Sequence, residues 1–140
     1  MSQTSNFTIH QLQLGTSAEV VKAFTQQDVE DFARLSGDHN PVHLDEAYAA
    51  NSRFGKPIAH GMLSASLISA CLGQKLPGLG TIYLSQTVRF LAPVYPGQEV
   101  RATVTVVEIN VPKNRVRLQT QCHVQGALVL DGEAWVLAPA

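Results

Sequence analysis

The segment Ser36-Gly37-Asp38-His39-Asn40-Pro41-Val42-His43 puts a carboxylate and two imidazoles on a stiff stretch of chain just past a helix. Asp38 and His43 stand five residues apart. On a bent, non-helical backbone both side chains can converge on one small space. A carboxylate and an imidazole that share a water can polarise it and carry its proton, the task of general acid–base catalysis. Histidine is the side chain that titrates near neutrality. A plainer account stands beside this one: Asp38 bonds backbone N–H groups of the turn, and His43 is only a bonded partner. A metal reading of His39, His43 and His60 is weaker. Spacing of four residues aligns two ligands on one face only in a helix, and Pro41 sits between the first two, where the chain is expected to be non-helical from Asp38 to His43.

A second group of residues, Ala59-His60-Gly61, opens an apolar stretch. The first N–H groups of a helix lack internal partners and carry partial positive charge. A glycine there lets a substrate oxygen come close, which is what an oxyanion hole requires. The alternative is that Gly61 only permits close packing. Ser64, Ser66 and Ser69 follow on the same stretch. Helix hydroxyls usually bond back to a carbonyl one turn earlier, and without a G-x-S-x-G elbow a nucleophilic serine is not expected.

An acid–base pair and an oxyanion donor together suit addition of water to a double bond conjugated with a carbonyl. Water attacks the β carbon, charge gathers on the carbonyl oxygen, and the α carbon takes up a proton. No cofactor or metal is required.

The elements that must position these groups are legible as patterns. Ala18 to Phe24 alternates as a short strand. Thr25 with Asp28 forms an acidic capping box for a helix that ends at Gly37. Asp45 caps a short helix through Ala50. Gly61 to Leu72 is small or apolar on every side, as in a core helix, with Gly73 and Pro77-Gly78 as stops. Residues 81–91, 99–109, 115–124 and 127–137 read as long strands, parted by turns at 93–97, 110–114 and 125–126. One buried helix followed by a run of antiparallel strands is an α+β pattern, packed most economically with the sheet wrapped around the helix. The expected organisation is one domain over residues 1–140, with residues 1–15 irregular.

Composition excludes other classes. The chain has 140 residues, net charge −1, and no Lys/Arg cluster, so neither nucleic acid nor an anionic membrane is the expected partner. No apolar run reaches the roughly 20 residues of a membrane helix, and Met1 to His10 does not read as a signal peptide. Cys71 and Cys122 lack metal-ligand spacing and read as buried, reduced thiols. A cytoplasmic protein is expected. Only 15% of residues are charged, against a usual value of about 25%, which hints at surface committed to a second copy.

The residues 36–45 together with Ala50, the stretch Ile58-Ala59-His60-Gly61-Met62-Leu63-Ser64, and the strand from Gly80 to Phe90 resemble the MaoC-like, (R)-specific enoyl-CoA hydratases. The resemblance runs from about Phe24 to the C-terminus and is nearest to the short enzymes that supply polyhydroxyalkanoate synthesis from fatty-acid β-oxidation. It implies a single hot-dog fold assembled as a homodimer, with the acyl-CoA thioester in a tunnel near the dimer interface. It implies that Asp38 and His43 are catalytic, that Asn40 fixes their loop, and that the N–H of Gly61 is the oxyanion donor. Ser69 corresponds to a serine supporting the pair, and Leu72, one turn further, is expected to bound the acyl pocket. Coenzyme A enters as part of the substrate. Its phosphates need cations, for which Arg53, Lys56 and Lys75 are candidates.

Two rival readings remain. A hot-dog thioesterase usually carries a carboxylate on the central helix, and residues 61–72 contain no Asp or Glu. A non-catalytic acyl-CoA-binding subunit has no need of a titratable pair.

Overall fold

Residues 3–140, which the computed structural model describes, run in the order β1 (Ser17–Ala23), α1 (Gln26–Ser36), α2 (Pro41–Leu44), α3 (Glu46–Ala50), α4 (Gly61–Gln74), β2 (Ile82–Phe90), β3 (Glu99–Asn110), β4 (Arg115–Val124) and β5 (Ala127–Leu137). The part of the irregular N-terminal expectation that falls on Met1 and Ser2 lies outside the described residues.

The strands owe their inward face to alternation. Val100, Ala102, Val104 and Val106 on β3, and Val116, Leu118, Thr120 and Cys122 on β4, are all buried. They form one antiparallel five-stranded sheet in the order β1-β3-β4-β5-β2. Gln125 and Gly126 both have positive φ, 50° and 81°, as a two-residue hairpin turn between β4 and β5 requires. The inner face curves around α4, which packs on β1, β2, β3 and β4. Leu63, Leu67, Ile68, Cys71 and Leu72 of α4 are buried against it. Both cysteines are free and buried. The α+β arrangement of a sheet wrapped around one helix is thus as the pattern implies.

Three local features differ from expectation. Residues 41–44 are helical: Pro41 occupies the first helical position, where its missing N–H costs nothing and its fixed φ fits, and Asn40 is the N-cap. α4 also passes through Gly73 and ends at Gln74. Glycine inside a helix costs only about 1 kcal/mol relative to alanine, so the stop is left to Pro77-Gly78, where Gly78 takes φ 101°. Finally, the irregular N-terminal segment is a structural strap. The Ser5 and Phe7 N–H groups bond the Gln74 and Pro77 carbonyls, both at 2.8 Å. Ile9 and Leu12 join the core.

Candidate active site

The site begins where α1 ends. Thr25 and Asp28 form a reciprocal capping box at its start. The backbone bonds from Thr25 hold the Asp28 carboxyl below the usual carboxylate value. Gly37, at φ 82°, turns the chain out of the helix. Three side chains then each accept from an N–H two residues ahead: Ser36 Oγ from Asp38 at 3.1 Å, Asp38 Oδ1 from Asn40 at 3.2 Å, and Asn40 Oδ1 from Val42 at 3.2 Å. This relay carries the chain from α1 into α2 and leaves Asp38 exposed beside the buried His43. Asp38 therefore does bond its turn, and the plainer account of its role holds as geometry without using its second oxygen.

His43 is fixed from two sides. The Gln26 side chain donates to its carbonyl at 3.1 Å. Its Nδ1 lies 2.7 Å from the Ile58 carbonyl. A carbonyl only accepts, so Nδ1 carries the hydrogen and the neutral ring has its free lone pair at Nε2. The loop that supplies Ile58 is itself pinned, by Ile58 N–H to the Val42 carbonyl at 3.2 Å and Ala59 N–H to the Val94 carbonyl at 2.7 Å.

His60, weighed in the sequence only as a metal ligand, stands at the centre of the arrangement. It is 2% exposed. Its ring stacks on His43 with centroids 3.9 Å apart and planes at 28°, while Phe32 packs at 4.7 Å. Its Nε2 lies 3.1 Å from the Asp38 carbonyl. Burial pushes its pKa down from 6.5, the nearby His43 pushes the same way, and the Asp38 carbonyl bond opposes both.

Ligand atoms of Asp38, His43 and His60 lie within 4.8 Å of one another; His39 is exposed and outside this cluster. One nitrogen of each ring is already engaged by a carbonyl, Nδ1 of His43 by Ile58 and Nε2 of His60 by Asp38.

Gly61 opens α4, and among the described residues no backbone carbonyl takes its N–H. A Cβ at this position would lie 2.5 Å from Cε1 of Phe90. Glycine therefore serves the close approach of that ring as well as leaving the N–H open. Asp38, His43, His60, Gly61 and Ser64 all border one cleft of about 370 Å³, closed on its apolar side by residues such as Phe90 and Val129.

Other expected residues lie elsewhere in the single chain. Ser69 is exposed and borders a separate groove of about 540 Å³ between α4 and β2. Leu72 is 1% exposed and sits in the core, bordering neither. Three residues advance a helix by about 300°, leaving the two side chains about 60° apart, and the boundary between the exposed and buried faces falls between them. Ser66 bonds back to the Leu63 carbonyl at 2.5 Å, the usual fate of a helix hydroxyl. Of the candidate cations, Arg53 borders the cleft and Lys56 lies 4.8 Å from the Tyr95 ring centroid. Lys75, past the far end of α4, donates to the Glu19 carbonyl at 2.8 Å. Ser64, read from the sequence only as a helix hydroxyl, borders the cleft, and nothing in the spacing announces the part played by the Ile58 carbonyl.

Known proteins are similar to this chain in sequence and in fold. The model of the MaoC like domain matches residues 10–127. The (R)-specific enoyl-CoA hydratase of Rhodospirillum rubrum is 48% identical over 126 residues, covering 90% of this chain and 88% of the relative. That of Aeromonas caviae is 48% identical over 129 residues, covering 91% and 96%. Among solved structures, the A. caviae (R)-hydratase involved in PHA biosynthesis superposes with a TM-score of 0.89 over 91% of this chain and 98% of that one. The R-hydratase PhaJ1 from Pseudomonas aeruginosa, also 48% identical, gives 0.91 over 99% and 89%. The sheet around α4 is accordingly a single hot-dog fold, and the chain belongs to the MaoC-like family.

Proposed function

We propose that this chain is an (R)-specific enoyl-CoA hydratase, adding water to trans-2-enoyl-CoA to give (R)-3-hydroxyacyl-CoA. The observation that carries the reading is that Asp38, His43 and the start of α4 at Gly61 border one apolar cleft. The 48% identity to named (R)-specific hydratases supports it.

In this mechanism Asp38 and Nε2 of His43 hold one water against the β carbon and take its proton as a unit. Electrons move from the double bond onto the thioester oxygen. The Gly61 N–H, at the positive end of α4, bonds that developing charge. The proton then goes to the α carbon. The step balances with water alone and requires no cofactor. Asn40 keeps the loop in register through its cap of α2. Arg53, which borders the cleft, is the cation this reading assigns to a CoA phosphate.

A homodimer fits the surface. β2 is an edge strand, and it exposes Ile82, Tyr83, Leu84 and Phe90. An exposed apolar edge is a template for another strand, and a second copy pairing there would also cover Ser69 and its groove. Among the described residues no helix is long and apolar enough to cross a membrane. A cytoplasmic enzyme supplying hydroxyacyl-CoA to polyhydroxyalkanoate synthesis is the setting this reading favours.

Crotonyl-CoA tests the function. The proposal expects loss of enoyl absorbance without free thiol, and an (R) product by chiral analysis. Thiol release would indicate the thioesterase, and no change a binding subunit. The dimer is tested by light scattering, with Leu84→Asp expected to halve the mass.

A further inference from the structure

His60 is absent from the mechanism above, yet it touches both members of the pair. It follows Ala59, which is tied to the Val94 carbonyl, and precedes Gly61, whose N–H is the proposed oxyanion donor. Although it is the N-cap residue of α4, its side chain makes no capping bond, so helix initiation does not explain an imidazole here. What it does instead is reach across 22 residues of chain to the Asp38 carbonyl at 3.1 Å and lie flat on His43.

The two rings hold opposite tautomers. A carbonyl at Nε2 of His60 means that nitrogen carries the hydrogen, so Nδ1 has the lone pair. That Nδ1 is buried and has no hydrogen-bond partner among the described residues. Placing a proton on it would create a buried charge and a buried donor facing no acceptor, both costly. The titratable groups that face the ring are His43 from α2, which opposes a proton there, and Asp38 from the loop after α1, whose charge favours one but ranks below desolvation and His43; α4 carries no charged residue and Phe32 of α1 is neutral. Desolvation works against protonation as well.

Resting on the hydratase reading, we infer that His60 is a positioning residue: an imidazole whose Nε2–H fixes the Asp38 backbone and whose ring face fixes His43, locking the water-activating pair to the start of α4. Its neutrality matters because a second cation stacked on His43 would oppose proton uptake by that ring.

Two substitutions divide the roles. His60→Phe keeps a flat ring and removes the donor; His60→Gln keeps an N–H near the place of Nε2 and removes the ring. With crotonyl-CoA, and with melting curves showing both variants folded, His60→Phe is expected to lower kcat by about tenfold or more while KM stays within about threefold. His60→Gln is expected to retain at least about threefold more turnover than His60→Phe. Wild-type kcat in His60→Phe, a loss confined to KM, or Gln no better than Phe would each overturn the inference. Asp38→Asn run alongside separates the two claims: if it keeps wild-type turnover the hydratase site itself is misassigned, whatever His60 does. Should the His60 variants fail to fold, side-chain ¹⁵N spectra of the wild-type protein decide. They should show His60 neutral with hydrogen on Nε2 and taking up a proton only below the ordinary histidine value. A His60 protonated at or above that value, or carrying its hydrogen on Nδ1, contradicts the inference.

Discussion

Nδ1 of His43 donates to the carbonyl of Ile58 across 2.7 Å, and this single bond decides which nitrogen of the ring can meet a substrate. The carbonyl belongs to a loop held at both neighbouring positions by backbone bonds to Val42 and Val94. The ring therefore cannot exchange tautomers without leaving a part-buried carbonyl unpaired. Long-range ¹H–¹⁵N correlation is expected to find the neutral form of His43 with its hydrogen on Nδ1. A spectrum with hydrogen on Nε2 would contradict the assignment of that nitrogen as the acceptor.

Gly61→Ala should fold, because the atom its Cβ meets is the edge of the half-exposed Phe90 ring, which can swing away. The displaced ring enters the cleft, and kcat/KM is expected to fall by about tenfold or more. Phe90→Leu in the same background removes the overlap and leaves the residue-61 N–H in place, so it should recover most of the loss. Assays of the two variants and the double variant check this; failure of the second change to rescue would argue that the crowding is not the cause.

Gly132→Ala tests the sheet rather than the chemistry. A Cβ there would lie 1.8 Å from the Thr87 carbonyl oxygen, which is backbone of the paired strand β2 and cannot rotate away. Overpacking of this kind typically costs about 1–3 kcal/mol, and at a rigid backbone contact the upper end is expected. Urea unfolding should show that loss, with β2 released from β5.

The two thiols should be silent. Burial pushes Cys71 up to about 11 and Cys122 to about 12, so at neutral pH both are protonated and enclosed. An aromatic disulfide reagent should react with neither in the native protein and with both in denaturant. Rapid labelling of the native protein would contradict their placement in the core.

Much of this was legible in the sequence because it is written locally. Alternation announced β3 and β4, Thr25 with Asp28 announced α1, and the spacing of Asp38 and His43 announced a pair. Pro41 misled because one rule, that proline breaks a helix, was applied where another, that proline starts one, governs. His60 was hidden for a different reason. Its partners are a carbonyl 22 residues away and a ring face, and neither leaves a trace in residue type or spacing. Ser69 and Leu72 were read as one face of α4, but the helix changes from exposed to buried between them.

The central claim is that Asp38 and His43 together move the proton of one water. Turnover of crotonyl-CoA by Asp38→Asn and His43→Gln, each shown to be folded by its melting curve, tests it most directly. Loss of about 10²-fold or more in each variant is the expected result. Near wild-type turnover in either would contradict it.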